Sequence, residues 1–244
     1  MAHHWAIADR EYARHEARRG RRHAFERLDP TTTALVVVDM VPFFVAGNPR
    51  CQAIVPHINR LAAALRASGG TIAWVLPSSL DRHHDLLREF YGEAVAETYR
   101  RSGGEGPLPQ RLWPALDHAA CDHFVEKTGA SALFPGYCPL PEILVERAIR
   151  TVIVTGTVTN VCCESTARDA RTLGYRTIMA ADANAAGSDA AHNAALETIY
   201  RSFGDVRSTK EILALISQGH SKRAQEKGPA AAEPSCTAEG VAKP

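Results

Sequence analysis

The chain has 244 residues, of which 45% are hydrophobic and 23% charged, an ordinary globular composition with enough apolar material for one sizeable α/β core. With 28 basic against 27 acidic residues, the formal charge of +1 supplies no net field for a polyanion, so nucleic acid is not expected as a partner. No apolar run reaches the roughly eighteen residues of a membrane span, and the start MAHHWAIADREYARHEARRGRR lacks an apolar signal core; no membrane is expected, and the cytoplasm is.

Residues 1–30 read as an N-terminal helical arm, rich in Arg and Ala, that ends at Pro30 and three threonines. A regular domain is expected over 31–219. Its first strand is the β-branched run from Thr33 to Val38 closed by Asp39, the pattern of a strand buried on both faces. Apolar positions at helical spacing follow over 54–68, stopped by Ser68-Gly69-Gly70, and a second strand occupies Thr71 to Leu76. The charged stretch Asp85 to Arg101 is helix-prone, and SGGEGPLPQ after it is a loop. His123 to Lys127 gives a third, weak strand.

Next come a helix over 139–149, a strand Thr151 to Thr155, a helix from about Asn160 to Leu173, and a strand Tyr175 to Ala181. Helices near 189–203 and 208–217 close the domain. Alternation of strand and helix predicts a three-layer α/β/α architecture around a parallel sheet of about six strands. The segment 220–244, with hardly an aliphatic group larger than alanine, is expected to be a disordered tail. The six cysteines form no C-x-x-C pair and no regular framework, so mostly free thiols are expected.

In an open parallel sheet reactive groups gather beyond the carboxyl ends of the strands. Three groups stand there: Asp39 after the first strand, Lys127 closing the third, and Cys162 after the strand at 151–155. At the start of a helix a thiol is expected to have a lowered pKa and thiolate character. A thiol, a carboxylate and an amine together supply a nucleophile, a proton acceptor and a fixed positive charge.

The segments ALVVVDM, FVEKTGASALFPG and GTVTNVCCESTARDARTLGYRTIMAADA resemble the signature blocks of the isochorismatase-like cysteine hydrolases over roughly residues 31–217. That family includes nicotinamidases, N-carbamoylsarcosine amidases and ureidoacrylate amidohydrolases. The resemblance implies a Rossmann-like fold, with Asp39 as catalytic acid/base, Lys127 as its lysine and Cys162 as nucleophile. It also implies a cis peptide joining Thr157 to Val158, with the backbone amides of Val158 and Cys162 as oxyanion hole. Cys163 takes a position usually held by a small apolar residue and is expected to pack.

Two departures stand out. Where many relatives read DMQNDF, this chain has Asp39-Met-Val-Pro-Phe-Phe44, so pocket polarity differs. Where nicotinamidases carry an Asp-x-His metal cluster, it has Pro77-Ser-Ser-Leu-Asp-Arg-His-His84, so no metal and no cofactor are expected, and His83 and His84 read as surface residues.

The implied activity is hydrolysis of a carboxamide, ureido or lactam C–N bond in a small molecule, with streptothricin-type lactams as an alternative. Vinyl-ether hydrolysis is a second reading, weakened by Cys162, because true isochorismatases replace that cysteine. A non-catalytic binding module is a third, weakened by the presence of all three groups. Phe44, Trp113 and Tyr137 are candidates to line the pocket, with core packing as the competing role. Relatives commonly form dimers or tetramers, so a homo-oligomer is implied, and the N-terminal helix is the better candidate for a subunit contact.

Overall fold

The computed structural model describes residues 2–80 and 84–227. Six strands form one sheet: β1 (Thr33–Val38), β2 (Thr71–Pro77), β3 (His123–Lys127), β4 (Thr151–Thr157), β5 (Arg176–Ala185) and β6 (Asp205–Arg207); the α-helices in chain order are α1 (Asp9–Arg19), α2 (Pro42–Val45), α3 (Pro49–Ala67), α4 (His84–Tyr91), α5 (Glu93–Arg100), α6 (Leu140–Glu146), α7 (Glu164–Thr172), α8 (Asp189–Ser202) and α9 (Thr209–Lys227). The strands lie in the order β3-β2-β1-β4-β5-β6, and every neighbouring pair is parallel. That is the doubly wound order, and its direction of winding reverses between β1 and β4.

Strand residues alternate between two cores, as a period of two requires. Leu35, Val37, Trp74 and Leu76 face one side, where they meet α3 (Pro49–Ala67) and α9 (Thr209–Lys227). Val36, Val38, Ala73 and Val75 face the other, against α6 (Leu140–Glu146), α7 (Glu164–Thr172) and α8 (Asp189–Ser202). All six residues of β1 are buried, as its unbroken β-branched run predicts. α3 starts earlier than its apolar spacing suggests, because Asn48 accepts from the amides of Arg50 and Cys51 and Pro49 takes the first helical position.

Other features also differ from the sequence reading. The expected arm is helical only over α1 (Asp9–Arg19), which Gly20 ends with a left-handed φ of 70°. α1 lies on its own chain's α8: buried Glu11 pairs with Arg201 at 3.5 Å, and Arg10 with Glu197 at 3.3 Å. The domain boundary expected at 219 falls inside α9, which runs to Lys227; residues 228–244 of the expected tail lie outside the described residues. The sixth strand, β6, hides in three residues between two helices. Asp205 in it is fully buried and accepts from the amides of Ala24 and Phe25 at 2.7 and 2.8 Å, tying the arm to the sheet edge.

β3 is an edge strand with little apolar content, and polar anchors hold it. Asp122, just before it, accepts from Trp74 Nε1 at 2.9 Å and from Arg66 Nε and Nη2 at 3.0 and 2.7 Å. At the other end Arg111 donates to the carbonyls of Pro77 and Gly103 and pairs with Glu126 at 2.9 Å. Asp122→Ala leaves a buried indole N–H and a guanidinium without their acceptor. A stability loss of about 2 to 4 kcal/mol is expected in urea denaturation, whereas loss below about 0.5 kcal/mol would show that β3 is held otherwise.

Candidate active site

The topology carries Asp39, Lys127 and Cys162 to one point. Asp39 follows β1 and the segment with Cys162 follows β4, so the two flank the crevice where the winding reverses. Lys127 ends β3, two strands from β1, and its long side chain crosses the end of β2. Its Nζ lies 2.9 Å from Asp39 Oδ2, 3.5 Å from Cys162 Sγ and 3.1 Å from the Gly129 carbonyl. The three residues that the sequence singles out are therefore in contact.

Asp39 and Lys127 are almost wholly buried, with side chains 1% and 5% exposed. The Lys127 ammonium and the Cys162 thiol are the two groups that face the Asp39 carboxylate. Burial raises the Asp39 pKa above the ordinary carboxylate range, and the adjacent ammonium only partly reverses that. Burial also disfavours the Lys127 charge, but the neighbouring carboxylate and thiol outweigh it and hold the ammonium charged.

Cys162 departs from expectation. Its thiol is pushed up to about 12, by burial first and by the Asp39 charge second, with Lys127 opposing. The helix-start effect does not prevail because the cysteine sits inside a π-turn, Thr159–Cys163, that precedes α7, and its sulfur is largely desolvated beside a carboxylate. The resting group is a thiol next to a base. Cys163 is fully buried, its thiol is raised well above the usual value, and its Sγ donates to the Thr155 carbonyl at 3.8 Å, so it packs as expected.

The backbone of this site is unusual at several points. The Thr157–Val158 peptide is cis, the bond at which the family resemblance places one. Asp39 has φ 54°, a left-handed conformation that carboxamide and carboxylate side chains tolerate better than most. Gly156 has φ 114°, and a Cβ there would stand 2.1 Å from the Val38 carbonyl oxygen, so only glycine lets β4 come this near the end of β1.

A buried polar column supports the π-turn from below. Thr159 Oγ1 shares a 2.9 Å hydrogen bond with His192 Nδ1, and both residues are fully buried. The His192 ring stacks on His3 at 4.2 Å with 4° between the planes. His3 is fixed in turn by Asp189 at 2.6 Å and by the Ala186 amide at 2.9 Å. Burial lowers the His192 pKa to about 4, so it is a neutral packing partner at physiological pH. The sequence reading missed this column, because two histidines 189 positions apart give no local signal.

The candidate pocket aromatics are near these groups along the chain and partly packed. Phe44 and Trp113 pack against the core cluster that contains Met40, and the Trp113 amide donates to the Met40 carbonyl at 2.9 Å. Tyr137 lies over Gly129 and meets Phe134 edge-on at 5.1 Å. Phe43 and Tyr99, at 6.1 Å, extend the aromatic group. No group of three or more His, Cys, Asp or Glu suited to a metal ion occurs among the described residues. His83 lies outside them, as does the side chain of His84. Among the described residues no helix is long and apolar enough to cross a membrane.

A doubly wound parallel sheet with a thiol, a carboxylate and an ammonium in contact at its switch point defines the architecture of an isochorismatase-like hydrolase. Known proteins agree, and the chain belongs to that family: the Isochorismatase domain model matches residues 33–211. The isochorismatase family protein YecD of Escherichia coli O157:H7 is 34% identical over 195 residues, covering 76% of this chain and 97% of its own. A ureidoacrylate amidohydrolase, RutB of Methylobacterium radiotolerans, is 30% identical over 220 residues, covering 78% and 83%. Among solved structures, a cysteine hydrolase from Pseudomonas syringae pv. phaseolicola superposes with a TM-score of 0.69 at 28% identity, covering 81% and 97%. An N-carbamoylsarcosine amidase from Thermoplasma acidophilum gives 0.59 at 27%, covering 73% and 96%.

The electrostatics can be checked without a substrate. Alkylation of Cys162 by iodoacetamide, followed by site-resolved mass spectrometry, is expected to rise steeply only at strongly alkaline pH, because the thiol sits near 12. Asp39→Asn removes a negative charge that opposes thiolate formation, so its profile shifts to lower pH. A wild-type midpoint near 7, or a shift to higher pH in the variant, contradicts this reading.

Proposed function

We propose that the protein is a cysteine-dependent amidohydrolase that cleaves a non-peptide C–N bond of a small carboxamide, ureido compound or lactam through an acyl intermediate on Cys162, a thioester for a carboxamide or lactam and a thiocarbamate for a ureido carbonyl. The observation that carries this reading is the contact of the Cys162 sulfur with a buried Asp39–Lys127 pair. Homology to proteins named ureidoacrylate amidohydrolase and N-carbamoylsarcosine amidase supports the C–N bond as the target.

In the first half-reaction Asp39 accepts the thiol proton as sulfur attacks the carbonyl carbon, and the C=O π electrons move to oxygen. A base with a pKa above the ordinary carboxylate range is better matched to a weakly acidic thiol than a solvated aspartate is. The amides of Val158 and Cys162 stabilise the oxyanion in this scheme. Collapse breaks the C–N bond, and the nitrogen leaves with the proton held by Asp39. Water then gives a proton to Asp39 and attacks the acyl intermediate; the C–S bond breaks, the acid departs and the thiolate recovers its proton. Lys127 keeps Asp39 ionised at rest and offsets negative charge on sulfur during attack.

The aromatic residues Phe44, Trp113 and Tyr137 fit a substrate with an apolar or planar portion. No metal or cofactor takes part in this scheme, and a homo-oligomer in the cytoplasm is the expected setting.

The test is ammonia or amine release across a panel of carboxamides, ureido acids and lactams. For the compound turned over fastest, Cys162→Ala should lower the rate by at least about 10³-fold while keeping the fold. Cys163→Ala should remain within about tenfold of wild type, being a core substitution. Equal loss in both variants, or activity without Cys162, would refute the proposed nucleophile.

A further inference from the structure

A pocket lies at the end of the strands opposite to Asp39 and Lys127. Arg176 opens β5 and Leu28-Asp29 lead toward β1, whereas Asp39 and Lys127 stand at strand ends. In a parallel sheet the two ends of the strands are a full strand length apart, so this pocket is separate from the candidate active site. It is an open-sided pocket of about 740 Å³, a size suited to a metabolite.

Its walls carry the cationic side chains of Arg27, Arg176, Lys222 and Arg223 against one carboxylate, Asp29, among the described residues. Asp29 is already engaged, accepting from the amide and hydroxyl of Thr31 at 3.0 and 2.9 Å. Among the described residues three guanidinium groups, with Lys222 beside them, line a pocket with one occupied carboxylate, in a chain whose formal charge is only +1. Burial lowers the Arg176 pKa, and the Asp205 charge partly offsets it.

The walls are built rather than incidental. A Cβ on Gly219 would stand 2.1 Å from the Leu28 carbonyl oxygen and 2.8 Å from Pro30, so α9 crosses the 28–30 segment in direct contact. Arg223 donates to Thr31 Oγ1 and lies 3.7 Å from Asp29. Arg176 donates to the Arg27 carbonyl at 2.7 Å, and its guanidinium lies 4.8 Å from the centre of the Phe25 ring. Guanidinium forks fixed in this way match phosphate and carboxylate oxygens in pairs.

We propose that this pocket binds a compact small-molecule polyanion, one with two or more phosphoryl or carboxylate charges, at a site remote from the candidate active site. The ligand spans the gap between the arm and α9, contacting Arg27 and Arg176 on one side and Lys222 and Arg223 on the other. Binding then adds a second bridge between two segments that already touch at Gly219 and Leu28.

Isothermal titration calorimetry on the full chain at low ionic strength tests the proposal, with inorganic pyrophosphate and citrate as separate probes. Saturable one-to-one binding of at least one probe is expected, and the stronger probe tells phosphoryl from carboxylate recognition. Arg27→Gln/Lys222→Gln changes two exposed residues, so the fold is retained. It should weaken binding by about tenfold or more, the loss of charge-assisted contacts. Arg18→Gln/Arg147→Gln, which removes two exposed cations elsewhere, should leave binding within about twofold of wild type. Binding of neither probe, undiminished binding in the first variant, or equal loss in both variants would overturn the proposal. None of these outcomes bears on the thioester chemistry at Cys162.

Discussion

The ion pair between Asp39 and Lys127 is the constraint around which the rest of the site is arranged. Two opposite charges buried this deeply gain little net stability, because each loses its hydration before it gains the other. The fold nevertheless spends several features on them. β3 is held at the sheet edge by Asp122 and Arg111 so that Lys127 can cross β2. Gly156 lets β4 close on β1, and Asp39 takes a left-handed backbone that turns the chain as it leaves the strand. In the proposed mechanism these features keep a carboxylate basic enough to take a thiol proton, and an ammonium beside it to hold the charge left on sulfur.

Much of this was legible in the sequence. β1, β2, β4 and β5 announce themselves as β-branched or apolar runs between turn signals, because a strand buried on both faces admits little else. Asp39, Lys127 and Cys162 could be named because each ends or follows a strand and because the third block, around TNVCCEST, is distinctive. The opposite held for β6, whose three residues Asp-Val-Arg have too few positions to show a period and whose stability comes from amides of the arm. The thiol misled for a different reason. Helix-start reasoning counts the backbone dipole, whereas desolvation and the Asp39 charge, both tertiary effects, outweigh it. The His3–His192 stack under the π-turn likewise depends on residues distant in the chain.

The N-terminal segment changes meaning once the fold is known. Its residues precede the stretch matched by the family model, yet His3 reaches the layer beneath the π-turn, Glu11 pairs onto α8, and the backbone at 24–25 caps Asp205. The arm is therefore part of the body of its own chain. Its far end, at Arg27 to Asp29, forms one wall of the basic pocket beside α9, so a single segment reaches both ends of the strands. The net charge of +1 conceals this uneven distribution, which appears only when the chain is folded.

The most direct measurement of the chemistry is rapid acid quench followed by intact-protein and peptide mass spectrometry, using the amide that the enzyme turns over fastest. A species heavier by the acyl group should form on Cys162 within the first turnover, decay as the acid accumulates, and fail to form in Asp39→Asn. Turnover at the full rate with the acyl group on another residue, or undiminished acylation without the Asp39 carboxylate, would contradict the thioester chemistry proposed for this site.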